Sequence, residues 1–106
     1  MAQFDVHRNP GKTGRDIPFT VVVQSSIYDA YHRRVVVPLV RKSSVGVIAN
    51  PRLNPTFKVK NIPVVLHPLE MVSVSLERLG ERVDSLAQQG DIIVGALDEL
   101  LSRAWE

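Results

Sequence analysis

A chain of 106 residues, 44% hydrophobic and 23% charged, is long enough to bury a core of its own, and one domain spanning 1-106 is expected. A net charge of +2, with the basic residues scattered and not gathered in a run, argues against a nucleic-acid-binding face. With no cysteine, disulfides, thiolate nucleophiles and cysteine-ligated metals are excluded.

The first segments alternate short β-branched runs with turn signals. "QFDVH" (3–7), "IPFTVVVQ" (17–24), "RRVVVPLV" (33–40), "VGVIA" (45–49), "TFKV" (56–59), "IPVVLH" (62–67) and "MVSVSL" (71–76) all read as strands. Asn50-Pro51 and Asn54-Pro55 start turns, Lys60-Asn61 tolerates a left-handed backbone, and His67-Pro68 ends a strand. Pro38 cannot donate to a ladder, which predicts an edge, a bulge or a strand start for its segment. Near residue 84 the period changes. Ser85 and Gln88 have capping-box spacing, and Ile92, Ile93, Ala96, Leu97, Leu100, Leu101, Ala104 and Trp105 recur at helical spacing. Glu99 and Arg103 form a favourable i,i+4 pair, whereas Gly90 and Gly95 weaken the helix. Many short strands followed by one terminal helix make an α+β plan, an antiparallel meander or small barrel carrying a C-terminal helix. The amino terminus has no apolar signal segment and no run approaches the roughly 18 apolar residues of a membrane span, so a cytoplasmic protein is expected.

Candidate chemistry is sparse. "PGKTG" at 10–14 fails as a phosphate loop because the glycine required five positions before Gly11 is Val6. His7, His32 and His67 lack a paired ligand spacing, so no metal is expected, and no cofactor. The stretch "VQSSIYDAYHRRVVVPLV" (23–40) holds Tyr28, Tyr31, His32, Arg33 and Arg34 between two apolar runs. Such residues could cleave RNA, the arginine stabilising a charged phosphorane and the histidine moving a proton. They equally suit a polar connection whose arginines begin the next strand and pair with Asp29. Strand alternation puts Arg33 and Arg34 on opposite faces, so only one could join a given site.

In order, Gln3-Phe4, "VQSSIYDAYHRRVVVPL", Leu53-Asn54-Pro55, Met71, Leu79-Gly80, Val83, Leu86 and "IIVGALDELLS" resemble the CcdB toxin family over nearly the whole chain. The resemblance implies a twisted antiparallel sheet, a smaller inserted sheet and a C-terminal helix, assembled as a homodimer. It also implies a non-enzymatic toxin of a type II toxin–antitoxin system. Such a toxin wedges into the DNA gyrase A subunit dimer and traps the cleaved DNA complex. Carried over, the gyrase-facing residues are Ile27 and Tyr28 in the loop, then Asp98, Leu101, Ser102, Arg103 and Ala104. The chain departs from the family at its end. Members commonly finish with a glycine and one apolar residue after the position of Ser102, and the best-known ones carry tryptophan at that position. Here Arg103, Ala104, Trp105 and Glu106 follow Ser102. Trp105 either replaces the aromatic anchor or packs on the body as a helix-end residue. The cognate antitoxin of such a toxin folds a disordered tail onto it, and in complex the pair represses its own operon with the antitoxin alone touching DNA. Arg8, Lys12, Arg15, Arg41 and Lys42 are candidates for an acidic tail. The alternatives are a MazF-type endoribonuclease of related fold, using His32 with Arg33 or Arg34, and a non-toxic homologue that only binds antitoxin.

Overall fold

A computed structural model describes residues 2–102. One seven-stranded antiparallel sheet curls around the core, in the order β4-β5-β3-β2-β1-β7, with β6 on β3. The strands are β1 (Asp5–Arg8), β2 (Phe19–Val22), β3 (Arg33–Arg41), β4 (Thr56–Val59), β5 (Ile62–Leu66), β6 (Val72–Ser75) and β7 (Arg82–Ser85); helix α1 (Gly90–Leu101) follows. This is the expected α+β class. No helix among the described residues is long and apolar enough to cross a membrane.

The long strand β3 organises the sheet. One edge pairs with β2, from Phe19↔Leu39 to Val22↔Val36. The other edge is divided: β6 takes Arg33–Val36 and β5 takes Leu39–Arg41, so the β4–β5 hairpin forms the smaller inserted part. Pro38 sits at the changeover, its carbonyl accepting from the His67 N–H at 3.1 Å. The expectation of an edge, bulge or strand start for Pro38 is therefore corrected. A central strand tolerates the missing donor because the residue falls between two partners on that edge. "VGVIA" is also corrected, from strand to loop, with Val47 99% exposed. The segment pairs with no strand of the sheet, and β-branched content without a partner does not make a strand.

Val37 and Leu39 of β3 point into the core with Val6, Phe19, Val21, Phe57, Val59, Val64 and Leu66. The helix closes that side with a narrow stripe, Gly90, Ile93 and Ala96 buried and Leu97 packed at the margin. The expected broad stripe is cut down: Ile92 and Leu101 are exposed, and Ala104 and Trp105 lie outside the described residues, as does the Arg103 of the expected ion pair with Glu99. Ser85 does not cap α1: its hydroxyl accepts from the Ala87 N–H at 3.1 Å, ahead of the 3-10 turn Ala87–Gln89 that leads into the helix. The helix instead starts against Phe4. That residue has a φ of 70°, uncommon for a bulky side chain, and is held by its N–H to Val22 at 2.6 Å and by the Leu86 N–H to its carbonyl at 2.9 Å. A Cβ at Gly90 would lie 2.5 Å from the Phe4 ring, so the ring occupies the space that glycine leaves.

Lys60 and Asn61, at φ 51° and 64°, form the two-residue turn between the paired Val59 and Ile62. Two positive φ values identify a type I′ hairpin, which favours Asn-Gly. The double substitution Lys60→Asn with Asn61→Gly should therefore stabilise the fold by about 1 kcal/mol, read as a higher urea midpoint at unchanged slope. A lower midpoint would mean that the native side chains hold contacts of their own.

Candidate functional site

The connection from β2 to β3 is built by residues that hold its backbone and release its side chains. Ser25 caps a single turn at Ser26–Tyr28 by accepting from the Ile27 N–H. Gln24 ties both ends, its Nε2 donating to the carbonyls of Tyr28 (3.3 Å) and Arg33 (3.1 Å) and its Oε1 accepting from the Val35 N–H at 3.0 Å. Arg34, only 4% exposed, completes the fastening. Its Nη1 donates to the carbonyls of Tyr31 (2.7 Å) and Arg33 (2.8 Å), and its Nη2 to that of Asp29 (3.1 Å). The Asp29 carboxylate lies 3.5 Å from the same Nη2 and supplies the countercharge. A buried guanidinium is tolerated only when its donors are matched in this way; its Nε alone lacks a partner.

Arg33 points to the opposite face, where its Nε and Nη2 donate to the Ser73 hydroxyl and carbonyl, both at 2.8 Å. His32 instead pairs with Glu77 on a turn following β6. The hydrogen bond from the His32 ring holds the Glu77 carboxyl below the usual carboxylate range. His32, Arg33 and Arg34 are thus held by three different sets of partners, and His32 shares none with either arginine. The other histidines stand elsewhere: His7 is buried on β1, its Nδ1 bonded to the Gly80 carbonyl at 2.9 Å, and His67 follows β5.

Fastened from below, the loop exposes Ile27, Tyr28 and Tyr31 by 78%, 50% and 67%. Asp98, Leu101 and Ser102, on the outer side and end of α1, are exposed as well. The helix and the strand that leaves the loop border one core, through Leu97 and Val35. Arg103, Ala104 and Trp105 lie outside the described residues. Tyr31 was anticipated only as a member of a nuclease-like cluster; its spacing of three from Tyr28 across a tight turn is the signal that brings the two rings together, 6.2 Å between centroids.

The basic candidates separate into two groups. Arg15 and Arg41 share a polar depression with Asp16, Ser43 and Ser44, the Arg41 Nε donating to the Arg15 carbonyl at 3.0 Å, and Lys42 follows Arg41 directly. Arg8, whose Nε lies 3.2 Å from Glu81, instead borders an apolar cleft of about 210 Å³ floored by Thr20, Val36 and Pro38. Lys12 is exposed on the β1–β2 connection that runs between the two sites.

No curated protein matches the chain. A family model described as "CcdB protein" matches residues 3–102, from ahead of β1 to the end of α1. That span takes in the fastened loop, the divided strand β3 and the helix alike, and the chain belongs to the CcdB family, the toxins of toxin–antitoxin modules.

Proposed function

We propose that the protein binds the DNA gyrase A subunit as a homodimer and traps the gyrase–DNA cleavage complex, catalysing nothing itself and needing no cofactor. The observation that carries this reading is the rigid exposed loop. Ile27 and Tyr28 stand out from a backbone held by Arg34 and Gln24, which is how a preformed protein contact is built. Asp98, Leu101 and Ser102 add a contact from the end of α1, and Arg103, Ala104 and Trp105, outside the described residues, belong to the same gyrase-binding set. Family membership supports the same reading. A cognate antitoxin neutralises the toxin, its acidic tail lying along Arg15, Arg41 and Lys42 and reaching Arg8 and Lys12, and makes all contacts to operator DNA.

The test is a supercoiling and cleavage assay with gyrase, plasmid and ATP, comparing the full chain with one ending at Leu101. Linear DNA should accumulate with the full chain alone. If neither chain acts on gyrase, the poison reading fails, and cleavage of RNA by the full chain would establish the endoribonuclease alternative in its place.

A further inference from the structure

The β2–β3 connection presents more apolar surface than its own packing uses, and it presents that surface beside a fixed cation. The Tyr28 and Tyr31 rings, tilted by 51°, make one wall of a shallow cleft whose other lining residues are Gln24, Arg33 and Val35. Both polar members are already oriented. Gln24 spends its amide on the backbone, and Arg33 is anchored through Nε and Nη2 to Ser73. Among the described residues no carboxylate pairs with Arg33: Asp29 is taken by Arg34, and Glu77 by His32. An exposed guanidinium held in one orientation, next to aromatic faces and an aliphatic floor, is half of a charge-assisted contact.

We propose that this cleft receives a short partner segment in which a proline or leucine side chain lies beside a carboxylate. The apolar group packs on Tyr28, Tyr31 and Val35, and the carboxylate pairs with Arg33. The charge balance favours a peptide over a nucleic acid. A phosphate backbone needs a stripe of cations, whereas the residues lining this cleft, Gln24, Tyr28, Tyr31, Arg33 and Val35, include a single charged side chain. The proposal rests on the reading that the loop faces the gyrase A subunit, and it adds the chemistry of the segment that meets it.

Two arms separate the cleft from that reading. In the first, random dodecapeptides displayed on phage are selected on the immobilised protein, and the best peptide is titrated against wild type, Tyr31→Ala and Arg33→Gln, each checked for folding by circular dichroism. An apolar-next-to-acidic consensus is expected, with affinity at least tenfold weaker for both variants and for a peptide whose acid is changed to its amide. A consensus without an acid, affinity indifferent to both variants, or preferential binding of a single-stranded oligonucleotide would overturn the proposal. In the second arm the same variants are titrated with the gyrase A subunit. A tenfold loss in each supports the assignment, and unchanged binding overturns it. Peptide recognition without any gyrase binding by wild type would uphold the cleft and defeat the gyrase reading instead.

Discussion

Arg34→Ala should lower the unfolding free energy by about 3 kcal/mol, although the residue lies next to an exposed loop. The substitution leaves the carbonyls of Asp29, Tyr31 and Arg33 without their shared donor and leaves Asp29 without its countercharge. Arg34→Lys should recover little, because an ammonium is one compact point and cannot span three carbonyls as the planar fork does. Urea unfolding measures the loss, and amide exchange over residues 29–33 should rise more than in β1 or β2. A variant within about 0.5 kcal/mol of wild type would mean that water replaces the guanidinium at no cost and that the loop is ordered by its own turns.

Gly80→Ala is expected to be comparably severe, at about 3 kcal/mol, for a different reason. A Cβ at Gly80 would lie 2.2 Å from the Arg8 carbonyl oxygen and 3.0 Å from its carbon. The neighbour is strand backbone and cannot swing aside as a side chain could. Relief requires β1 and the approach to β7 to part, and two bonds resist: the Arg8 N–H to the Glu81 carbonyl at 2.8 Å, and the His7 ring to the Gly80 carbonyl at 2.9 Å. Overpacking of about 1–3 kcal/mol and the loss of a buried hydrogen bond of about 1 kcal/mol combine here. Gly95→Ala is the matched control. Nothing lies within 4 Å of a Cβ there, and alanine in an exposed helix should stabilise by about 1 kcal/mol. Opposite shifts of the thermal midpoint are expected for the two; equal shifts would refute the crowding at Gly80.

The places where sequence and structure part follow from what one-dimensional pattern can carry. Strand composition was legible wherever a partner edge existed, as in "TFKV" and "IPVVLH", and the left-handed Lys60-Asn61 turn was legible from residue type alone. It misled at "VGVIA", because whether a segment docks on an edge is a property of the whole sheet. It missed β7, whose "RVDS" has one apolar residue and is recruited by pairing with β1 across most of the chain. At the candidate site the opposite facing of Arg33 and Arg34 was legible from alternation, and so was the pairing of an arginine with Asp29. What alternation could not give is that Arg34 is buried and serves three carbonyls, since those bonds depend on how Asp29–Arg33 folds back on itself. Nor could it show that Ser73, forty residues on, fixes Arg33.

The pairing of β1 with both β2 and β7 also sets the order in which this protein can be completed. Val6 is bracketed by Val21 on one side and Asp84 on the other, so β1 waits for a strand made long after it. Closing that long a chain segment comes late and slowly, and until it happens the edge of β1 is open and α1 has no Phe4 ring to start against. Until residues 82–101 are made, a growing chain therefore lacks both β7 and α1. For a toxin, this architecture delays the complete fold until β7 and α1 have been made, a delay in which antitoxin already present can be waiting.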